Sequence, residues 1–216
     1  MNFLCFLFYV TCVLASSRDQ WLVGSSLIVW AGKAAKTPQQ AGVTPQQTWP
    51  ELTSNSVKWY GQGGMGWSHF RATMIPLLAR QAPPRFIWIH LGSNNLGKIP
   101  LRSLIDWSKA ELQWLAGNSP GSCIVWSDIL ARRFYKGARS QVQMENNRKV
   151  YNSRMRSFVL ANGGKAVRHL SISWDSAGIF RSDGVHLNAE GNRRLNSDLQ
   201  GAMVAFDRDP SLTEYK

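Results

Sequence analysis

Five short apolar runs recur along the chain at the intervals expected of strands that alternate with helices. They cover residues 21–23, 57–59, 86–91, 123–126 and 167–172, and each is bounded by Gly, Pro, Ser or Asn, as is typical of buried parallel strands. The stretches between them repeat apolar residues at helical spacing. This alternation indicates βαβ units and predicts an α/β fold, a three-layer α/β/α sandwich with a five-stranded parallel sheet.

Length and charge narrow the class of protein. A chain of 216 residues suits one domain with its own core. Its three cysteines, Cys5, Cys12 and Cys123, provide neither a disulfide framework nor the spacing of a zinc site. With 25 Lys and Arg against 13 Asp and Glu, the net charge is +12. This excess favours acidic partners, namely nucleic acid, anionic lipid or a polyanionic substrate.

The first residues have a composition of their own. Residues 2–15 are almost uninterruptedly apolar, which is too short to span a bilayer but suits the core of a signal peptide. No Lys or Arg precedes this run, so a start codon within a longer reading frame is an equal alternative. The chain is secreted on the first interpretation and intracellular on the second. We therefore predict a signal peptide or disordered leader over 1–17, one domain over 18–207 and a tail over 208–216, with no transmembrane segment.

A serine follows the first apolar run at the point where a helix can begin. The run Leu22-Val23 breaks at Gly24 and is followed by Ser25 and Ser26. A serine there lies above the carboxyl end of a parallel sheet, where open α/β sheets bind their ligands. Taken alone, such a serine is more often a helix cap.

Three further loops carry residues suited to acyl transfer. Residues 61–66 are glycine-rich, and such a backbone can aim its amides at an anion. Residues 91–95 follow the most apolar strand and end in two asparagines, whose amides can stabilise an oxyanion. In the last loop Asp183 precedes His186 by three residues, which is the pairing that a histidine base needs. The other histidines are expected to be structural: His69 and His169 lack such a neighbour, and His90 lies in a strand.

The order of these blocks resembles a known family. Gly24-x-Ser26, Gly64, Gly92-x-Asn94 and Asp183-x-x-His186 are similar to the four blocks of the SGNH hydrolases, also called GDSL-type esterases, over about residues 20–205. The segments VGSSLIVWAGK, IWIHLGSNNLG, CIVWSDIL and IFRSDGVHLNAEGN further resemble the SGNH domains encoded by vertebrate retrotransposon-like open reading frames. The resemblance implies the flavodoxin-like fold of the family.

The resemblance also implies a role for each matching residue. Ser26 would be the nucleophile, His186 the general base and Asp183 the acid that orients it. The oxyanion donors would be the backbone N–H groups of Ser26 and Gly64 and the side-chain amide of Asn94. Gly61 fits the second block less well than Gly64. No metal and no organic cofactor is required.

The chain departs from the family pattern at two positions. Ser25 and Asn95 stand where the family usually has aspartates, so hydrogen bonding around the first and third blocks must differ. Both are candidate pocket residues, as is Asp128 after the fourth run. Asp128 has the alternative role of a helix cap.

Two functions from different classes follow. The first is a serine esterase that acts on small-molecule or lipid acyl esters. The second is a weakly active or inactive SGNH-fold module, derived from a retroelement, that binds nucleic acid or an anionic membrane surface through a basic face. The second rests on the basic segment 132–156, and its candidate residues are Arg132, Arg133, Arg148 and Lys149. A third hypothesis, a protease with the same triad, is weaker than these two, because no extended substrate-binding feature can be recognised in the sequence. The oligomeric state is left open.

Overall fold

A parallel sheet of six strands forms the centre of the molecule. The computed structural model describes residues 19–37 and 49–216, so the predicted leader over 1–17 lies outside the described residues. The strands are β1 Gln20–Gly24, β2 Val57–Gly61, β3 Phe86–His90, β4 Cys123–Ser127, β5 Lys165–Val167 and β6 Glu214–Tyr215. They lie in the order β2-β1-β3-β4-β5-β6, and every neighbouring pair is parallel.

Helices cover both faces of the sheet. They are α1 Ser26–Lys36, α2 Pro50–Thr53, α3 Phe70–Arg80, α4 Leu101–Asn118, α5 Gln141–Ala161 and α6 Ala189–Arg208. Buried side chains of α1, α2 and α6 share one core with Leu22 and Trp88. Those of α3, α4 and α5 share a second core with Val23 and Ile89. Because successive residues of a strand point to opposite faces, the central strands supply both cores, and the predicted three-layer sandwich is confirmed.

The predicted strand number was wrong by one. The sixth strand lies within residues 208–216, the predicted tail. Its backbone pairs with the edge of the sheet, where Ala166 N donates to Thr213 O at 2.8 Å and Arg168 N donates to Tyr215 O at 2.9 Å. A two-residue edge strand without an apolar run carries no periodic pattern, and for this reason the sequence did not reveal it.

The fifth strand was predicted too late in the chain. It occupies Lys165–Val167 rather than 167–172. The glycine after α5, Gly163, adopts a φ of +76° and turns the chain directly into the strand. The apolar residues that follow belong to a turn, in which Leu170 is exposed and Ile172 packs into the core beneath α6. Apolar character alone could not distinguish a strand from this turn, whose residues divide between solvent and the core.

Two glycines allow close packing at the carboxyl edge of the sheet. A Cβ atom on Gly24 would lie 2.6 Å from the carbonyl oxygen of His90 and 2.6 Å from Ile28 Cγ1, so only glycine lets α1 begin directly over the end of β1. Gly92 has a φ of +113°, and a Cβ atom there would lie 2.4 Å from the Tyr151 hydroxyl. Both positions therefore require glycine.

Within the ranges 19–37 and 49–216, no helix has the length and the hydropathy needed to cross a membrane.

Candidate active site

The candidate site lies where the first three strands of the parallel sheet end. β1 is hydrogen-bonded to β2 on one side and to β3 on the other, so the loops that follow them share one edge. Gln62 N donates to Gly24 O at 3.0 Å, which ties the second loop to the first. The loop that precedes α6 supplies Asp183 and His186. This is the position at which open α/β sheets hold ligands.

Ser26 is the first residue of α1, and its hydroxyl is not used as a helix cap. Ser25 occupies the cap position, yet its side chain makes no capping hydrogen bond. Its carbonyl accepts instead from Ile28 N at 3.0 Å and Val29 N at 3.3 Å. Ser25 is only 2% exposed, so its side chain offers almost no surface to a pocket. The Ser26 hydroxyl lies 2.9 Å from His186 Nε2.

Asp183 holds His186 from the other side of the imidazole. Its Oδ2 lies 2.6 Å from His186 Nδ1, while its Oδ1 accepts from the backbone N–H groups of Val185 and His186, each at 2.8 Å. Partial burial alone would raise the pKa of Asp183, but these hydrogen bonds outweigh it and lower the pKa to about 2. The carboxylate is therefore ionised at neutral pH and is placed to accept a proton of the imidazole at Nδ1.

Two hydrogen bonds, one at each end of the amide group, fix the orientation of the Asn94 side chain. Its Nδ2 donates to Met65 O at 3.0 Å, and its Oδ1 accepts from Arg132 Nη2 at 2.9 Å. Gly64, one residue before Met65, has a φ of +72°, which favours glycine. The second and third loops are thus joined, with the Asn94 NH₂ group at their junction.

Arg132 lies at this site and not on an exposed basic face. Its guanidinium contacts Asn94, and burial lowers the pKa of Arg132, although Tyr135 and Asp183 counteract part of this effect. The backbone next to it is anchored to the loop of Asp183 and His186, because Arg133 N donates to Gly184 O at 2.8 Å. Sequence reasoning missed the contact with Asn94, since the two residues are 38 positions apart and no local pattern links them.

The remaining candidates for the basic face differ in their exposure and partners. Arg133 and Lys149 are exposed. Arg148 is partly buried and binds Glu145 through Nε at 2.7 Å, while its Nη1 donates to Ile129 O at 2.9 Å. Of the four residues predicted for the basic face, only Arg133 and Lys149 are therefore exposed, while Arg132 and Arg148 are partly buried.

The two other candidate pocket residues have structural partners. Asn95 Oδ1 accepts from Trp67 N at 3.1 Å, which fastens the glycine-rich loop. Asp128 accepts from Trp126 Nε1 at 3.1 Å and pairs with Arg156. Burial raises the pKa of Asp128, and Arg156 opposes this effect. The residues that directly follow Asp128 are not helical, so it is not a helix cap, and the cavity that it lines does not include Ser26, Asp183 or His186.

A second Ser-His-Asp set, which the sequence did not reveal, lies in the interior. Ser127 Oγ is 2.8 Å from His169 Nε2, and His169 Nδ1 is 2.9 Å from Asp198 Oδ2. The expectation that His169 lacks a carboxylate neighbour was therefore wrong, because α6 supplies one from 29 residues away. Ser127 is 1% exposed, so its hydroxyl is inaccessible to an ester. The side chains of His186 and Asp183 are 30% and 47% exposed.

His90 extends this interior chain. Its Nδ1 lies 3.0 Å from Ser127 Oγ, and burial, assisted by the charges of His169 and Arg132, lowers the pKa of His90 to about 3. A neutral, buried His90 agrees with the expectation that it is a core residue. In the described part of the chain, no group of three or more His, Cys, Asp or Glu side chains is placed to hold a metal ion.

No protein-family model matches the chain, and no curated protein matches it in sequence. The comparison of structures, in contrast, found clear similarity. A GDSL-like lipase from Bacteroides thetaiotaomicron matches with a TM-score of 0.64 at 14% identity, covering 88% of this chain and 89% of the lipase. The esterase EstA from Pseudoalteromonas sp. matches with a TM-score of 0.62 at 14% identity, covering 89% of this chain and 100% of EstA.

A third neighbour is a carbohydrate esterase family 3 structure from Talaromyces cellulolyticus, with a TM-score of 0.58 at 15% identity, covering 88% of this chain and 99% of that one. At such low identity these similarities establish the fold. The chain has the parallel α/β architecture found in GDSL-like lipases and acylhydrolases, with six strands where we predicted five.

Proposed function

We propose that this protein is a serine esterase that hydrolyses carboxylic esters, with Ser26 as nucleophile, His186 as general base and Asp183 as its orienting acid. The observation that carries the proposal is the continuous hydrogen-bonded path from Ser26 Oγ through the His186 ring to Asp183, with distances of 2.9 Å and 2.6 Å. These distances are within the range expected of an activated nucleophile. The path lies at the ligand-binding edge of the sheet and is partly open to solvent.

The reaction follows from this geometry. Ser26 Oγ attacks the ester carbonyl carbon while its proton moves to His186 Nε2, and Asp183 stabilises the resulting imidazolium. The tetrahedral intermediate collapses, its bond to the alcohol oxygen breaks, and His186 returns the proton to that oxygen. Water, deprotonated by His186, then attacks the acyl-serine ester. The acid is released, and Ser26 regains its proton.

Three donors are proposed to stabilise the oxyanion: the backbone N–H groups of Ser26 and Gly64 and the side-chain amide of Asn94. The amides in the first turn of a helix have no acceptor within the helix, and α1 has no acidic residue in its first turn. The N-terminal end of α1 therefore favours the negative charge that develops beside Ser26. The fold neighbours support this assignment, since they include esterases, and the EstA structure was solved with the enzyme inhibited by monoethylphosphonate.

The proposal is tested by ester turnover at two salt concentrations. The purified chain should hydrolyse a neutral p-nitrophenyl ester at a rate that changes little between low and high salt, because a neutral substrate releases no counterions on binding. Binding to a polyanion would weaken steeply over the same range. A chain that hydrolyses no p-nitrophenyl ester of any acyl length would contradict the proposal.

Arg132 is proposed to position the Asn94 amide. Replacing Arg132 with alanine should lower kcat by about 10- to 100-fold with little change in KM, because an oxyanion donor whose orientation is lost acts mainly on the transition state. Steady-state kinetics on the same ester measures both parameters. Arg133→Ala is the matched control, since it removes the neighbouring, exposed charge and should leave kcat within a factor of about two. An equal loss in both variants would argue against a positioning role.

A further inference from the structure

A second cavity lies away from the catalytic triad. It has a volume of about 420 Å³ and is bounded by residues 128–130, by the middle of α5 and by residues 168–174. We call it the basic cavity. Its charged lining consists of Arg148, Lys149, Arg156, Arg168, Asp128 and Glu145. Neither the triad nor the proposed oxyanion donors belong to this lining, so the esterase mechanism leaves the cavity unexplained.

The cavity has an excess of positive charge. Two of its four cations are each neutralised within it, Arg148 by Glu145 and Arg156 by Asp128. Arg168 has a distant partner, Glu214, at 3.9 Å. Lys149 is exposed and forms no salt bridge within residues 19–37 and 49–216. Its charge does act on the exposed carboxylate of Asp175, the residue after Trp174. Lys149 and Arg168 are therefore the least neutralised cations of the lining and the ones best able to meet an anionic ligand.

The wall of the cavity is held in place by hydrogen bonds. The Asn152 side chain clamps the backbone of Ile129, accepting from its N–H at 3.0 Å and donating to its carbonyl at 2.9 Å. Arg148 Nη1 donates to the same carbonyl. A cavity preformed in this way avoids much of the ordering cost that a flexible site would incur on binding.

Large apolar side chains are exposed at the same cavity. Trp174 is 54% exposed and Leu170 is 61% exposed, and both are lining residues. An exposed tryptophan in the same lining as weakly paired cations is the combination that binds a planar base together with a phosphate. The volume lies within the range of about 300–1,000 Å³ found for small-molecule sites.

We propose that the basic cavity binds a nucleotide, with the phosphate on Lys149 and Arg168 and the base stacked on Trp174. The nucleotide is either free or one unit of a single-stranded nucleic acid, and both sources present the same phosphate and base. The proposal is independent of the esterase function, since the two sites share no side chain.

Titration calorimetry of the full chain tests this proposal with four ligands: 5′-AMP, adenosine, inorganic phosphate and a short oligoadenylate. AMP should bind with one site per chain, and adenosine and phosphate should each bind at least about tenfold more weakly, because each lacks one of the two recognised groups. An oligoadenylate that binds more tightly than AMP identifies a single strand as the source. Equal affinity identifies the free nucleotide.

Variants locate the site. Lys149→Ala and Trp174→Ala should each raise the Kd for AMP by about tenfold, with unchanged circular dichroism. The matched controls are Arg154→Ala, an exposed arginine on the same helix, and Phe134→Ala, an exposed aromatic elsewhere. These variants and Ser26→Ala should keep the wild-type Kd.

Three outcomes would overturn the proposal: no AMP binding at millimolar concentration, phosphate binding as tight as AMP binding, or equal Kd values in the wild type and both cavity variants. Binding to phosphatidylserine vesicles that is lost in Lys149→Ala, without any affinity for AMP, would also overturn it by identifying a lipid surface.

Discussion

Replacing Ser26 with alanine is expected to lower kcat for a neutral p-nitrophenyl ester by at least about 10⁴-fold, because it removes the hydroxyl that is proposed to form the acyl-enzyme. The Ser26 hydroxyl is the atom 2.9 Å from His186 Nε2, and alanine removes only that atom. The effect on KM should be small, since the methyl group occupies the space of the CH₂ group that it replaces. Stopped-flow or steady-state hydrolysis by equal amounts of folded protein measures the difference.

The interior Ser-His-Asp set provides the control for this experiment. Ser127 has a histidine partner that is in turn held by an aspartate, as Ser26 does, but it is buried at the end of β4. Ser127→Ala should reduce the free energy of unfolding by about 1–3 kcal/mol, because His169 and His90 lose a buried partner, and it should keep kcat within a few-fold. Loss of turnover in Ser127→Ala with full turnover in Ser26→Ala would show that the wrong serine had been assigned.

Replacing Asp183 with asparagine should lower kcat by about 10³- to 10⁴-fold, because an amide no longer stabilises the imidazolium or fixes the tautomer with Nε2 unprotonated. The amide oxygen of the new side chain would still accept from the backbone N–H groups of Val185 and His186, which keeps the loop in place. The matched control is Asp198→Asn, in which the carboxylate partner of His169 is changed in the same way. Turnover that falls equally in both variants would point to general destabilisation.

The pH dependence of stability gives a second measurement on the same variant. Asp183 has its pKa lowered to about 2 in the folded chain, below the ordinary value for aspartate of about 3.9. Its hydrogen bonds therefore stabilise the fold above that ordinary value, and the contribution is lost as the pH falls towards about 2. Asp183→Asn should lack this part of the acid dependence when denaturant unfolding is followed across that range. A variant with the wild-type dependence would contradict the assigned hydrogen bonds.

β1 and β3 could be predicted because every residue in them is buried and they form nearly continuous apolar runs. β2 and β4 are only partly buried, yet each still shows a short apolar run. The last two could not be placed in this way. The segment after Val167 is equally apolar, yet its residues divide between solvent, as Leu170 does, and the core beneath α6, as Ile172 does. The edge strand Glu214–Tyr215 is too short to show any period.

The candidate triad was accessible from the sequence because each member lies in a local pattern. Ser26 follows a strand and a glycine, and Asp183 precedes His186 by one turn. The contacts between Arg132 and Asn94 and between Asp198 and His169 link residues far apart in the chain. Only the tertiary packing of loops and of α6 brings them together. The exposure of each cation in the basic segment could not be predicted for the same reason, since the charge was visible in the sequence and the direction of each side chain was not.

The most direct test of the central claim, that Ser26 is an activated nucleophile, is covalent labelling with a fluorophosphonate followed by mass spectrometry of the modified peptide. The phosphonyl group should be found on Ser26 in the wild-type chain at one per molecule, it should be absent from Ser26→Ala, and its rate of incorporation should fall strongly in Asp183→Asn. Labelling of Ser26→Ala at the wild-type rate, or modification of a different serine in the wild-type chain, would contradict the claim.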